Sequence, residues 1–463
     1  MRYCQLSVLS VLTVAPFCNL AKSLTPHWDD MLTKHTWNTV PPNWETLGHP
    51  SAGSTIDLHF ILKPHHEHAL IDALYEVSVP GSPKHVLSNP PPRTLYSYMP
   101  LPCCRYGAHL SIEQVAQLVA PHPDTIELIN SWLEHHDVPS SSILTTRGGS
   151  WITITDVPVS QANKMLGASY QSYRRTGTNE TTILRTIRYG LPAVLHNHVQ
   201  TVVPTTYFAP SRPPWQTTRS RTVGKVDVVW RKHFMGLSSR DGDETDIKIT
   251  PSELRSLYGT AAYVPAAKDR NKLGVLGMQG DYPSEDDLRG FMTAYREDGV
   301  EAAYEVVQIN GGEYEPENPD GEANLSVQYA EALTFPTPLV FYSVGGQPMF
   351  IPETGQPRDG DHWFEWLRYF VDQPNVPQTL SSVYGNMEKD VPQEYAATLC
   401  NMFCDLGARG VSILFASGNF GVGHDCVELD EDGNVILDQD GNEIVNFTPT
   451  FPGTCKCSFL FLV

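Results

Sequence analysis

A chain of 463 residues with 41% hydrophobic side chains is long for one domain and too apolar to be disordered throughout. Its net charge of −20 argues against a nucleic-acid partner. That charge is uneven: residues 1–236 carry 19 Lys and Arg against 15 Asp and Glu, while residues 237–463 carry 13 against 37. Fifteen of the 17 histidines lie in the first half. A weakly basic, histidine-rich unit therefore precedes a strongly acidic one, and opposite fields favour docking of one on the other. Acidification neutralises carboxylates and charges histidines, which weakens that attraction.

In chain order, Met1-Arg2-Tyr3 and the apolar run 6–17 read as a secretory signal within residues 1–23, with Ala21 and Ser23 both acceptable before a cut. The run is too short for a membrane span, which needs about 20 apolar residues, and no later segment is long enough. A soluble, extracellular product is expected. Residues 26–208 then mix strands and helices without regular alternation: a strand at 54–62, a helix at 65–77, a helix at 112–119 capped by Ser111, a helix at 124–135, strands within 142–155 around a Gly148-Gly149 turn, and a short helix from Ser160 to about Leu166. This is the pattern of a small α+β domain. Residues 209–246, rich in Pro, Arg, Ser and Gly, read as a linker with a processing site.

From residue 247 to 463 the rhythm becomes βαβα. Strands are expected at 273–278, 305–309, 339–344, 378–384 and 411–416, and helices at 284–295, 322–333, 363–371 and 393–406. Apolar strands alternating with amphipathic helices imply a parallel, doubly wound sheet. Chemistry on such sheets sits at the carboxyl ends of the strands, here Ser343-Val344-Gly345-Gly346, Tyr384-Gly385 and Ser417-Gly418-Asn419.

Nine cysteines are scattered along the chain. Cys4 and Cys18 leave with the signal. Cys400 and Cys404 lack a neighbouring His or Cys to complete a zinc set. Cys426 and Cys455 are the best candidates for a disulfide, with connectivity left open. His65, His66 and His68 read as a solvated helix end, and the Asp-Gly-Asn units within 430–443 as hairpin turns instead of a calcium loop. Gly418, Gly421 and Gly423 are not a phosphate fingerprint. Sequons stand at Asn179, Asn324 and Asn446.

Ordered motifs run along nearly the whole chain. The first unit has Tyr106-Gly107-Ala108-His109-Leu110-Ser111, Val119-Ala120-Pro121-His122-Pro123 and Val203-Pro204-Thr205-Thr206-Tyr207-Phe208. The second has Ile249-Thr250-Pro251, Leu254-Arg255-Ser256-Leu257-Tyr258, Gly321-Glu322-Ala323-Asn324-Leu325, Val327-Gln328-Tyr329-Ala330, Leu406-Gly407-Ala408-Arg409-Gly410-Val411-Ser412, Phe415-Ala416-Ser417-Gly418 and Phe447-Thr448-Pro449-Thr450-Phe451-Pro452. Together they resemble the sedolisin, or serine-carboxyl, peptidases, above all the fungal secreted tripeptidyl-peptidase precursors.

The resemblance implies an activation prodomain over 26–208, bound intramolecularly, and a subtilisin-like sheet, incomplete here, over 247–463. It implies acyl-transfer chemistry on peptide or protein substrates at low pH, where a carboxylate replaces a histidine base that would be protonated. Glu322 falls at the general-base position of the family's Glu-x-x-x-Asp helix, and Ser326 at its Asp position. The i,i+4 spacing puts both on one helix face, where two carboxylates would share protons, but a hydroxyl stores no negative charge. Asn419 falls at the family's oxyanion-stabilising Asp, and its amide is a competent donor. The nucleophilic Ser of a Gly-Thr-Ser-x-Ser motif is absent, as is the family's calcium site near its C-terminus, so the chain as written is expected to be inactive. Cys455-Lys456-Cys457 is encodable as TGT-AAG-TGT, which contains a splice-donor sequence, and residues 86–105 interrupt a family pattern; both suggest retained introns. The alternative is a non-catalytic pseudo-peptidase that binds peptides or inhibits relatives. The sequon at Asn324 lies on the presumed active-site helix and is expected to stay unglycosylated.

Overall fold

The computed structural model describes residues 27–41, 44–78, 107–176, 182–208, 249–268, 270–278, 281–319, 321–345, 362–388, 391–417, 435–439, 441–444, 449–457 and 459–461. The signal segment, the 86–105 insert, the whole 209–246 linker, Asn419, Cys426 and the sequons at Asn179 and Asn446 lie outside them.

The N-terminal unit runs β1 (Met31–Thr36), β2 (Trp44–Gly48), β3 (Thr55–Leu62), α1 (Ala69–Ser78), α2 (Ile112–Leu118), α3 (Pro123–His135), β4 (Ile143–Thr145), β5 (Trp151–Pro158), α4 (Val159–Leu166), β6 (Gln171–Arg175), β7 (Ile183–Arg185), β8 (Arg188–Pro192) and β9 (Val199–Val203). Its main sheet is antiparallel, in the order β4-β5-β3-β9. Along β3 the pleat sends Ile56, Leu58, Phe60 and Leu62 into a core with Ile129, Trp132 and Leu133 of α3. The opposite face carries Ile61, which packs with Trp151 and Val203 against the second unit. At α2 the Ser111 hydroxyl accepts from the Gln114 amide at 3.2 Å and Gln114 Oε1 accepts from the Ser111 amide at 2.8 Å, a closed capping box. Helix α1 begins at Ala69, not at 65. His65 to His68 form the turn before it, with His65 in ring contact with His66 and His122 at 4.2 and 4.6 Å.

The C-terminal unit runs α5 (Pro251–Leu257), β10 (Leu273–Met278), α6 (Glu285–Tyr295), β11 (Tyr304–Ile309), α7 (Gly321–Thr334), β12 (Leu339–Val344), α8 (His362–Asp372), β13 (Thr379–Ser382), β14 (Asn386–Met387), α9 (Gln393–Ala408), β15 (Ser412–Ala416), β16 (Thr450–Phe451) and β17 (Phe459–Phe461). Six strands form a parallel sheet in the order β11-β12-β10-β13-β15-β17. Strand β17 extends the sheet beside β15, where the sequence predicted no strand. Alternate residues of the central strands serve opposite layers. Leu273, Val275, Leu339 and Phe341 pack with α6 and α7 through Leu288, Met292, Ala323 and Val327. Leu276, Met278, Val340 and Tyr342 pack with α8 and α9 through Trp363, Trp366, Phe370 and Phe403. Gly274 is needed at the sheet centre, since a Cβ there would stand 2.6 Å from the Leu380 side chain and 2.9 Å from Tyr342.

The N-terminal unit docks on α8 and α9. Tyr207 stacks on Tyr395 at 4.5 Å, Leu70 and Leu74 of α1 share a core with Cys404 and Ala408 of α9, and the Leu110 amide donates to the Ala408 carbonyl at 2.9 Å. The cysteine expectation is corrected here: Cys455 pairs with Cys400, and Cys457 with Cys404. Two cysteines one helical turn apart on α9 face two that are themselves two apart, which is the geometry of a double staple and leaves no place for Cys426 on Cys455. The hairpin expected within 430–443 is present in its described part: Leu437 bridges Glu443, and the Asp438 carboxylate accepts from the Asn442 amide at 2.8 Å.

Candidate active site

The sheet order determines where a ligand can enter. Strand β10 leads through α6 to β11 on one side, while β12 leads through α8 to β13 on the other, so the winding reverses between β10 and β13. Loops there diverge and open a crevice at the carboxyl ends. Past β10, the Asp281 amide donates to the Met278 carbonyl at 3.2 Å, and the Asp281 side chain is 3% exposed. Past β13, the Tyr384 hydroxyl donates to Asp281 Oδ2 at 3.0 Å and lies 3.4 Å from the Met278 carbonyl. Burial, followed by the charge of Asp281, pushes the Tyr384 phenol well above its ordinary pKa, so it remains a donor.

Glu322 stands in the first turn of α7, half-buried, and its charge also reaches Tyr384 and raises its pKa. The helix is held over the crevice by Asn324: its Oδ1 accepts from the Ser284 amide at 2.8 Å and its Nδ2 donates to Asp287 Oδ2 at 2.7 Å. Ser284 also caps α6, so one turn organises two helix starts. Ser326, one turn beyond Glu322, buries a hydroxyl that finds no partner among the described residues. Nearby, Gly345 closes on the turn after β11, its amide donating to the Ile309 carbonyl at 2.9 Å, while Asn310 Nδ2 donates to the Gly345 carbonyl at 3.2 Å. Gly312 lies so close to this corner that a Cβ would meet the Ser343 carbonyl at 2.0 Å. Past β15, Ser417 is buried and its carbonyl accepts from the Thr450 hydroxyl at 3.1 Å.

The structure thus brings Glu322, Tyr384 and Ser417 to one end of the sheet, with Ser326 on the Glu322 helix. The sequence missed Asp281. The available signal was its position, an acid three residues past the first strand of a doubly wound sheet. Among the described residues no group of three or more His, Cys, Asp or Glu is placed to hold a metal ion, and no helix is long and apolar enough to cross a membrane.

Residues 102–208 match the Pro-kumamolisin activation domain. Over 450 residues the chain is 27% identical to tripeptidyl-peptidase SED2 of Arthroderma otae, covering 96% of this chain and 69% of that protein. It is 29% identical over 426 residues to tripeptidyl-peptidase SED3 of the same fungus, and 28% identical over 424 residues to the probable tripeptidyl-peptidase SED3 of Arthroderma benhamiae, covering in each case 90% of this chain and 64% of the relative. The chain is therefore similar over most of its length to fungal tripeptidyl-peptidases, carries a match to the Pro-kumamolisin activation domain, and spans about two thirds of the length of these relatives.

Proposed function

We propose that a chain of the relatives' length carrying these residues is a secreted, acid-active serine-type peptidase zymogen of subtilisin-like architecture that releases tripeptides from free N-termini. The observation that carries this is the placement of Glu322, half-buried above the switch-point crevice with its charge felt across it at Tyr384. In this reading Glu322 takes the proton of an attacking serine hydroxyl and returns it to the leaving amine. The Asn419 amide donates to the developing oxyanion, a contribution worth about 10²–10³ in rate at comparable sites. No Gly-Thr-Ser-x-Ser motif occurs in the 463 residues, so the nucleophile belongs to sequence outside them and these residues alone would not turn over substrate. A calcium ion is a proposal for the complete protein, and no step is routed through it.

A second reading is kept because of two particular residues. Ser326 and Asn419 stand where the family has Asp, inside otherwise matching motifs, which favours a non-catalytic, peptide-binding relative. The deciding experiment is a tripeptide-release assay across pH 3–7 on the extended chain, with E322Q, S326D and N419D in parallel. The peptidase reading expects turnover in acid and a loss of at least about 10²-fold in E322Q. Absence of turnover that S326D with N419D restores would establish the pseudo-peptidase.

A further inference from the structure

We infer that Asp281, held by the Tyr384 hydroxyl at the switch-point crevice, is the positioning carboxylate for Glu322 that residue 326 cannot be. This rests on the peptidase reading of Glu322. A glutamate that must accept a proton needs a neighbouring negative charge to raise its proton affinity, and needs its orientation held. On α7 the i,i+4 partner is Ser326, neutral and without a hydrogen-bond partner among the described residues. Across the crevice, Asp281 offers a carboxylate that is 3% exposed, fixed at its backbone by the Met278 carbonyl and at Oδ2 by Tyr384.

The charges of both acids act on the Tyr384 phenol, that of Asp281 through a direct hydrogen bond at 3.0 Å. The turn that carries Asp281 is also the turn Asn324 grips, so the two acids are carried by segments bonded directly to each other. Of the neighbouring carboxylates, Asp287 accepts from Asn324, Asp286 from Arg289 at 2.8 Å and Glu313 from the Tyr282 hydroxyl at 3.4 Å, while Glu285 stands in the first turn of α6. In the step itself the proton passes from the attacking hydroxyl to Glu322 and then to the leaving amine. Asp281 and Tyr384 exchange no proton in this step. Loss of the helical aspartate at 326 is then a relocation of the second charge from the helix to the strand end.

The test has two arms. In the 463-residue chain, labelled with ¹³C at glutamate carboxyls and assigned by E322Q, the titration midpoint of Glu322 is followed by NMR in wild type, D281N and Y384F. The expected result is a lower midpoint in D281N and a smaller shift in the same direction in Y384F, which removes only the hydroxyl and guards against misfolding of D281N. An unchanged midpoint in both folded variants overturns the proposal. In the extended chain, D281N is expected to lower kcat by at least about tenfold with KM within about twofold, and S326D to restore it. Failure of S326D to restore a folded D281N overturns the proposal. An extended wild type without turnover at any pH sinks the peptidase reading alone, since the NMR arm still decides whether Asp281 governs Glu322.

Discussion

Asn324 shows how one side chain positions a site. Its two hydrogen bonds tie the helix that bears Glu322 to the turn that bears Asp281. Removing the amide in N324A leaves a backbone donor at Ser284 and a carboxylate at Asp287 without it, which costs about 1–3 kcal/mol. A urea midpoint lowered without a change in slope would show it. Because both ends of the amide are occupied, the Asn324-Leu325-Ser326 sequon is unavailable to a glycosyltransferase in the folded state. Mass spectrometry of the peptide from a glycosylating host is expected to show an unmodified Asn324, and a glycan there would mean the two bonds form late or not at all. Glu322 itself was legible from helical spacing and its surrounding motif. Asp281 was not, because its meaning depends on Tyr384, 103 positions away, and a pairing of that kind is created by strand order and leaves no local pattern.

At the scale of elements, α7 and α9 carry separate consequences. On α7, Glu331 is 3% exposed, and burial pushes its carboxyl up to about 7 against the lowering influence of Arg296. The folded state binds this proton more tightly than the unfolded chain does. The stabilisation is therefore fully present below about pH 4.5 and is lost as pH rises through about 7, on the order of 2–3 kcal/mol. E331Q keeps the neutral shape and should flatten the stability curve between pH 4.5 and 7.5, measured by thermal melts. On α9, the Cys400–Cys455 and Cys404–Cys457 bonds close nearly the same loop, 55 and 53 residues apart. With one bond present, the other removes only a short extra loop. Losing either is expected to cost about 2 kcal/mol and losing both about 6 kcal/mol, far from additive. Serine pairs at 400/455 and 404/457, singly and combined, would measure it. The spans of α7 and α9 were readable from their apolar spacing, and the start of α2 from Ser111, since periodicity and caps are local. The disulfides were not, because two i,i+4 cysteines also suit a metal, and only the approach of residues 455–457 to α9 decides between them.

For the whole molecule, the charge asymmetry seen in the sequence acquires a specific contact. His59 on β3 is buried between Thr153 and the second unit, its Nδ1 2.8 Å from the Thr153 hydroxyl and its ring 5.2 Å from Phe364 of α8. Its Nε2 finds no partner among the described residues. Burial, and then the Arg368 cation, push its pKa down to about 3. Docked, His59 is neutral; released, it regains ordinary basicity. The docked state therefore binds fewer protons, and its stability is intact above about pH 6.5 and falls as pH drops toward 3, by about 3 kcal/mol at pH 4. The other titratable groups at this contact are Asp57 on β3 and the Glu365–Arg368 pair on α8. Burial raises the Glu365 carboxyl, so its contribution has the opposite sign and strengthens docking as pH falls. H59Q, a residue able to bond Thr153 but unable to charge, removes the first effect and keeps the second. Hydrogen exchange of β3 and α8 amides should show protection lost between pH 6.5 and 4 in the wild type, and retained or increased over that range in H59Q. Identical loss in both proteins would mean that acid separates the units through their net charges and not through this histidine.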